Sequence, residues 1–152
     1  MSCTVMMDAE TCFLDTNVLV YASDPQSPFY AAARMAIVQR EQRTVQMVIS
    51  NQVIREYYTV MTRPTPDGIP DQQAVVQNIA TFTRLYTIAD DNLLVRESLL
   101  MLTRTVVIGG RQIYDANIVA TMLAYGIPVL LTNNVAHFTR FAEFITVLPL
   151  LS

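Results

Sequence analysis

The sequence predicts an α/β fold: a single-domain, three-layer α/β/α sandwich around a mainly parallel sheet of about five strands. Short apolar runs alternate along the chain with segments of helical periodicity, which is typical of parallel strands joined by right-handed crossovers. Hydrophobic residues make up 52% of the 152 residues and charged residues only 15%, as expected for strands that are buried on both faces. The length suits one domain with a sizeable core.

The predicted first strand is the apolar run from Thr11 to Leu14, which stops at Asp15 before helix-compatible residues resume. In open α/β sheets, ligands bind at the carboxyl ends of the strands. Asp15 is therefore a candidate site residue. Asp is also a common helix N-cap, and this stretch alone is as consistent with a purely structural role.

The remaining elements follow from apolar runs, helical periodicity and breaker residues. Further strands are predicted at residues 46–50, 86–88, 127–132 and 144–148. Helices are predicted at residues 17–22, 29–43, 51–62, 71–85, 95 to near the Gly109-Gly110 pair, and 112–125. The segments between them read as loops, with a turn and short helix at residues 135–138.

Glu56 lies in the third predicted helix, beside its buried face. That face is predicted from apolar residues at helical offsets, which are Val53, Tyr57, Val60 and Met61. At about 100° per residue, Glu56 falls on the flank of this stripe, from where it can reach over the sheet edge toward Asp15. From this helix alone, a solvated flank position is the simpler explanation.

Asp115 lies in the first turn of the helix predicted at residues 112–125, where an acid complements the helix dipole. This structural role explains the acid but not its surroundings. Ile113, Tyr114 and Ala116 place it among apolar neighbours and not on a polar face. The pattern therefore favours a functional role for Asp115.

The charge balance restricts the classes of partner. With a net charge of −3, the chain lacks the general basic surface that holds nucleic acid non-specifically. Any nucleic-acid contact must be local, helped by a metal, or shared with a second subunit. All ten basic residues are Arg, which excludes sites that need a P-loop or Schiff-base lysine.

The chain is expected to be cytoplasmic. No run approaches the roughly 20 apolar residues of a membrane span, and residues 1–10 carry two acids and no basic residue, unlike a secretory signal. Residues 1–10 are predicted to be a flexible tail before a domain at residues 11–150. Cys3 and Cys12 lie close together in sequence, one in the predicted tail and one in the first strand, where a disulfide is not expected. Neither has a Cys or His at metal-ligand spacing, so both are expected to be inert.

Three acids occupy comparable places in this predicted fold: Asp15 after a strand, Glu56 in the helix after a second strand, and Asp115 opening the helix before a later strand. In a doubly wound sheet these places converge on one edge. Clustered carboxylates repel one another unless a cation neutralises them, and hard oxygen ligands suit Mg²⁺ or Mn²⁺. Such a site can activate water for phosphodiester hydrolysis.

Four motifs then follow in an order that resembles PIN domains, in particular the ribonuclease toxins of bacterial and archaeal VapBC-type toxin–antitoxin pairs. The motifs are Leu14-Asp15-Thr16-Asn17-Val18-Leu19, Val53-Ile54-Arg55-Glu56-Tyr57-Tyr58, Tyr114-Asp115-Ala116-Asn117-Ile118-Val119-Ala120, and Leu131-Thr132-Asn133-Asn134 with Phe138. The resemblance spans about Cys12 to Pro149. No single motif is specific, but four in order at the usual domain length form a strong signal.

The resemblance implies a Mg²⁺-dependent endoribonuclease on a five-stranded parallel α/β/α sandwich. Asp15 and Asp115 would be the metal ligands, with Mn²⁺ as an alternative ion. Glu56 would complete the acidic cluster, through a metal-bound water or by positioning the attacking water. Supporting roles are implied for Thr16 and Asn17, which hold the loop of the first acid, and for Thr132, which ends the strand beneath the site.

Asn134 departs from the family pattern, because many PIN domains carry a fourth acid there, and His137 stands where another acid is common. Some toxin-like members also resemble this chain in having Asn at the first of these positions, so Asn134 remains a candidate catalytic residue. An amide contributes an oxygen ligand without charge, which weakens the case for a second metal. Alternatively, Asn133-Asn134 is a turn pair that tolerates left-handed backbone geometry, and His137 is a surface or substrate-side residue.

Four arginines lie near the predicted edge: Arg55, Arg63, Arg111 and Arg140. The guanidinium fork suits phosphate because it bonds bidentately. An arginine beside an acidic cluster can equally form an ion pair with it. The sequence leaves both roles open.

Three functions compete. The first is a metal-dependent ribonuclease whose partners are RNA, an antitoxin protein and a second copy in a homodimer, with part of the apolar content serving as interface. The second is an RNA- or protein-binding module with a weakened site, supported only by Asn134. The third, an aspartyl phosphatase, lacks the second acid two residues after Asp15 and the lysine that such enzymes use.

Overall fold

A five-stranded, all-parallel sheet forms the middle layer of the computed structural model, which describes residues 10–151. The strands are β1 (Thr11–Leu14), β2 (Gln46–Ser50), β3 (Thr87–Ala89), β4 (Val129–Leu131) and β5 (Thr146–Leu148). Their spatial order is β3-β2-β1-β4-β5, so the order reverses between β1 and β4. The predicted parallel sheet of about five strands is confirmed.

Helices cover both faces of the sheet. They are α1 (Thr16–Ser23), α2 (Tyr30–Gln42), α3 (Asn51–Met61), α4 (Gln72–Leu85), α5 (Leu93–Thr105), α6 (Gln112–Tyr125) and a 3₁₀-helix (Val135–Phe141). Right-handed crossovers put α1 to α4 on one face and α5 and α6 on the other. The contacts agree, since α1 packs against α2 and α3, and α5 packs against α6. The predicted three-layer α/β/α architecture is therefore confirmed.

The central strands explain the apolar composition. Cys12, Phe13 and Leu14 of β1 are all buried, and Phe13 lies in register between Val48 of β2 and Leu130 of β4. Strands of a parallel sheet that is covered on both faces read as continuous apolar runs because neither face meets water. Among residues 10–151, no helix is long and apolar enough to cross a bilayer.

Local capping signals place the helix ends. The Ser50 hydroxyl accepts a hydrogen bond from the N–H of Val53 at the start of α3, and the Asp71 carboxylate caps α4. Gly126 ends α6 in the left-handed conformation, with φ 67°, which glycine adopts without the steric cost of a Cβ.

The strand predicted at residues 127–132 is shorter, since β4 spans Val129–Leu131. Two other predicted boundaries are also wrong. Helix α5 ends at Thr105 and not near Gly109-Gly110, because Val106 is extended at φ −123° and ψ 141° and opens the run Val106-Val107-Ile108, whose β-branched residues disfavour helix. The last strand begins at Thr146 and not at residue 144, because the N–H groups of residues 144 and 145 donate to Phe141 in a tight turn.

One further detail differs from the prediction, and two lie outside the described residues. Val60, predicted on the buried face of α3, is 37% exposed. The Asn133-Asn134 pair, considered as a turn that tolerates left-handed geometry, does not use it, because Asn134 has φ −102° and Thr44 is the one non-glycine residue within 10–151 with positive φ. The tail predicted at residues 1–10 lies outside the described residues except for Glu10, and Cys3 lies outside them as well. Cys12 is buried and forms no disulfide.

Replacing Gly126 with Ala tests the C-cap of α6. A Cβ at this position meets no atom within 4 Å, so the cost is conformational, and we expect the free energy of unfolding to fall by about 1 kcal/mol. Urea denaturation measures it. Gly109→Ala is the matched control, because its Cβ makes only an ordinary contact 3.9 Å from Gln112 Oε1, and it should leave stability unchanged or slightly raised. Equal losses in the two variants would contradict the assignment.

Candidate active site

The candidate site lies at the carboxyl edge of the sheet, between β1 and β4, where the strand order reverses. This switch point is the usual ligand-binding crevice of open α/β sheets. Asp15 directly follows β1 and Thr132 directly follows β4. Helices α1, α3 and α6 all present their N-terminal ends to this edge, because α1 and α3 follow strands and α6 runs back toward the start of β4.

Asp15 is 7% exposed and is the N-cap of α1. Its Oδ1 accepts a hydrogen bond from the N–H of Thr16 at 2.8 Å. Its Oδ2 accepts from Thr132 Oγ1 at 2.8 Å and from Asn17 Nδ2 at 3.1 Å. The structural role and the site role considered for this residue therefore coincide, since one carboxylate caps the helix and faces the groove.

Asn17 ties the start of α1 to the loop after β4. Its Nδ2 also donates to Thr132 Oγ1 at 3.2 Å, and its Oδ1 accepts from the N–H of Asn133 at 2.9 Å. The N–H of Asn134 donates to Thr132 Oγ1 at 3.0 Å. The supporting residues predicted around the first acid thus form one connected network with it.

Glu56 reaches the same edge from α3. Thr16 Oγ1 donates to Glu56 Oε2 at 2.6 Å, and Gln52 Nε2 donates to Glu56 Oε1 at 2.9 Å. The side chain is half-buried. The solvated flank position that was the simpler explanation from α3 alone is therefore not what the fold produces.

Asp115, in the first turn of α6, is also half-buried. The imidazole of His137 lies beside it, with Nδ1 3.8 Å from Asp115 Oδ2. This distance is too long for a hydrogen bond, and the His137 side chain is 61% exposed. His137 therefore fits the predicted surface or substrate-side position at the rim of the site.

A groove of about 1070 Å³ brings the predicted residues together. Asp15, Glu56, Asp115 and Asn134 all line it. Its walls also include two tyrosines and three arginines, which are Tyr21, Tyr114, Arg55, Arg63 and Arg111. Residues from the two ends of the chain thus meet in one open cleft.

The two aspartates of the groove, Asp15 and Asp115, have raised pKa values. Burial, the largest cause, raises the pKa of Asp15 to about 6 from its ordinary 3.8, hydrogen bonds from Thr132 and Thr16 lower it in part, and the charges of Glu56 and Asp115 raise it further. Burial likewise raises the pKa of Asp115, against the attraction of His137 and Arg140. After burial, the charge of Glu56 contributes to the raised pKa of both aspartates.

The groove arginines are not engaged with carboxylates. Across residues 10–151, the contact between His137 and Asp115 is the one pair of a basic side chain and a carboxylate within 4.0 Å, so Arg55, Arg63 and Arg111 have free guanidinium groups. Arg140 behaves differently, because its Nη1 donates to the backbone carbonyl of Val107 at 3.1 Å and to Gln112 Oε1. Three arginines therefore line the groove without a carboxylate partner among these residues, whereas Arg140 bonds the loop at Val107.

The oxygen donors fit a hard divalent cation. Three of about four lone-pair positions of the Asp15 carboxylate accept protein hydrogen bonds, which leaves a position on Oδ1. In the described part of the chain, no three His, Cys, Asp or Glu side chains form a complete metal cage. Mg²⁺ does not need one, because it commonly binds through one or two carboxylates and completes its shell with waters and substrate phosphates.

Gln52 and Asn117 are site residues that the sequence interpretation missed. Gln52 bonds Glu56, the Tyr114 carbonyl and Asn117 at 2.9 to 3.1 Å. The sequence spacing could have identified Gln52 as a neighbour of Glu56, since it lies four residues earlier and on the same helix face.

Comparison with known families adds the decisive observation. The family model of the PIN domain matches residues 12–143 of this chain. The chain belongs to the PIN domain family. This PIN domain is similar to ribonuclease VapC24 of Mycobacterium tuberculosis, with 27% identity over 132 residues that cover 84% of this chain and 89% of the relative.

Solved structures share the fold of this PIN domain. VapC20 of Mycobacterium tuberculosis, a sarcin-ricin loop cleaving toxin, superposes with a TM-score of 0.64 at 17% identity, covering 88% of this chain and 96% of its own. VapBC-1 of nontypeable Haemophilus influenzae gives 0.67 at 17%, covering 93% and 99%. A toxin–antitoxin complex from Klebsiella pneumoniae gives 0.62 at 20%, covering 93% and 98%. At such identities the likeness shows the shared fold alone.

Burial of Asp15 predicts a pH-dependent stability in metal-free protein. A carboxyl group whose folded-state pKa is raised stabilises the fold fully below the unfolded value of 3.8, and that contribution is lost as the pH rises through about 6. The loss amounts to about 3 kcal/mol. We therefore expect Asp15→Asn to gain stability relative to the natural protein by about that amount across this range.

Urea titrations in EDTA at a series of pH values measure the difference between the two proteins. Acids outside the groove titrate equally in both, so subtraction reports Asp15 together with its coupling to Glu56 and Asp115. A difference that stays constant between pH 4 and pH 7 would contradict the prediction.

Proposed function

We propose that this PIN domain is a metal-dependent endoribonuclease that acts as the toxin of a toxin–antitoxin pair. The observation that carries the proposal is the convergence of three carboxylates, from the end of β1, from α3 and from α6, in a groove whose arginines are free to bind phosphate. The membership of the PIN family and the similarity to a ribonuclease support the same conclusion.

Asp15 and Asp115 are the proposed ligands of a Mg²⁺ or Mn²⁺ ion. The bound ion would supply an activated water and offset negative charge on the phosphoryl oxygens. The raised pKa of each acid supports this role, because burial and mutual repulsion leave carboxylates that gain most from a nearby cation. Asn134, on the same groove, contributes an uncharged oxygen toward the substrate side.

Glu56 is the proposed residue that orients the attacking water. Thr16 and Gln52 each donate to one of its oxygens, which fixes the plane of the carboxylate. Each oxygen retains a lone-pair position. A carboxylate held in this way can accept a hydrogen bond from water and then a proton.

The groove walls are proposed to bind the RNA backbone and bases. Arg55, Arg63 and Arg111 are exposed and line the groove, so their guanidinium groups can pair with phosphates on either side of the cleaved bond. Tyr114 is exposed beside Asp115 and offers a ring on which a base can stack. These local contacts allow a protein of net charge −3 to hold a polyanion.

An antitoxin protein and a second copy of the chain are the proposed protein partners. Similar solved structures include a toxin–antitoxin complex, which supports a protein inhibitor. Large apolar side chains also remain exposed on α4, α5 and the loop before α4, namely Ile69, Val76, Leu93, Leu94 and Leu100. Interfaces use such surface.

Replacing the proposed metal ligands tests the reaction. In Asp15→Ala and Asp115→Asn, we expect the rate of RNA cleavage with Mg²⁺ or Mn²⁺ to fall more than about a hundredfold. Such a loss exceeds that typical of mutations in residues that only hydrogen-bond to the metal ligands. Gel assays on a structured RNA with inhibitor-free protein measure cleavage, and circular dichroism checks the fold. Glu97→Gln, an exposed acid on α5, is the control and should cleave normally.

Natural protein that leaves RNA intact with both ions would overturn the proposal. Tight RNA binding without cleavage, unchanged by EDTA, would instead identify a binding module.

Replacing Arg111 tests RNA binding by the groove walls. Loss of one charged hydrogen bond to phosphate should raise KM for RNA about tenfold in Arg111→Ala, with kcat little changed. The slope of the logarithm of the RNA-binding constant against the logarithm of the salt concentration should become shallower by about one. Arg43→Ala is the control, because Arg43 is exposed at the C-terminal end of α2, at the opposite edge of the sheet. A similar KM in both variants would exclude Arg111 from the RNA-binding surface.

A further inference from the structure

Gln52 is the second residue of α3, and both ends of its amide are engaged. Its Nε2 donates to Glu56 Oε1 at 2.9 Å and to the backbone carbonyl of Tyr114 at 3.0 Å. Its Oε1 accepts a hydrogen bond from Asn117 Nδ2 at 3.1 Å. A carboxylate and a carbonyl can only accept, so the orientation of this amide is dictated by its partners and not by an arbitrary choice.

These hydrogen bonds join two helices that the sheet separates. Helix α3 lies on the face that carries α1 to α4, and α6 lies on the opposite face with α5. The partners of Gln52 on α6 flank Asp115, because Tyr114 directly precedes it and Asn117 follows two residues later. One side chain therefore bridges the helix that carries Glu56 and the helix that carries Asp115, at the carboxyl edge of the sheet.

The bridge limits the distance between the Glu56 carboxylate and the backbone of α6 beside Asp115. Glu56 Oε1 and the Tyr114 carbonyl oxygen both lie within 3.0 Å of a single nitrogen, so they cannot be more than about twice that distance apart. Like-charged carboxylates repel each other, and the Gln52 amide holds the two helix ends that carry them together with donors to both sides.

We propose that Gln52 is a positioning residue, which sets the separation of Glu56 and Asp115 and thereby the affinity of the site for a divalent cation. This inference rests on the proposed function, since it names a further residue of the same centre. Gln52 does not need to touch the RNA for this role. Its loss should weaken metal binding and slow the chemical step while it leaves RNA binding nearly unchanged.

Gln52→Met tests the proposal, because Met has a similar length and helix propensity but forms none of the three hydrogen bonds. Calorimetric titration with Mn²⁺, without RNA, should give a dissociation constant about tenfold above that of the natural protein. Cleavage assays should give a kcat reduced about tenfold and a KM for RNA within about twofold. Asn117→Ala, which removes only the contact to Oε1, should give a smaller loss.

Asn51→Ala is the matched control. Asn51 precedes Gln52 in the same helical turn, and its side chain donates to Asp90 Oδ1 at 3.3 Å, away from the acids. It should bind Mn²⁺ and cleave RNA as the natural protein does. Urea midpoints of all variants check that Gln52→Met is folded.

The outcomes separate the two proposals. Gln52→Met with natural Mn²⁺ affinity and natural kcat, or with losses equal to those of Asn51→Ala, would overturn the positioning role. If the natural protein binds Mn²⁺ but cleaves no RNA, the proposed function fails, and the Mn²⁺ titrations of the variants still decide the role of Gln52. A natural protein that binds no Mn²⁺ overturns both.

Discussion

The burial of Asp15 at the carboxyl end of β1 is the constraint on which the site depends. Removing a carboxylate from water is costly unless donors or a cation replace its hydration. Three donors replace part of it: the N–H of Thr16, the amide of Asn17 and the hydroxyl of Thr132. Because these donors belong to α1 and to the end of β4, the hydrogen bonds that stabilise the carboxylate also connect the start of α1 to the end of β4 at the switch point. The remaining cost raises the pKa of Asp15, and a bound cation would offset it.

Charge in the groove is arranged by depth. Asp15 is buried and the other two acids are half-buried, whereas the three groove arginines are exposed. A polyanionic substrate needs positive charge along its backbone and a hydrolytic centre at one phosphate. Charges further apart than about 8 Å are largely screened at physiological ionic strength, so the free arginines near the cleft matter more than the net charge of −3. The acidic composition of the chain is therefore compatible with RNA as the proposed substrate.

The fold assembles the centre from elements that are distant in sequence. Glu56 is held by Thr16 from α1 and by Gln52 from its own helix, and Gln52 in turn holds the first turn of α6. Each acid therefore depends on a neighbour from another element for its position. A centre of this kind forms only once the sheet has ordered the ends of α1, α3 and α6, which couples the chemistry of the site to the integrity of the whole domain.

The sequence alone determined the sheet, most helix boundaries and the edge at which the three acids meet, because apolar periodicity and capping residues act within one element and parallel strands align their carboxyl ends. It did not determine the extended segment that begins at Val106, the exposure of Val60 or the separate role of Arg140, because each depends on what lies beside the element in space. The bridge made by Gln52 was equally invisible, since its contact with Asn117 spans 65 positions of the chain. Periodicity reports which side of a helix is buried, but only tertiary structure decides which atoms a polar side chain meets at the end of that helix.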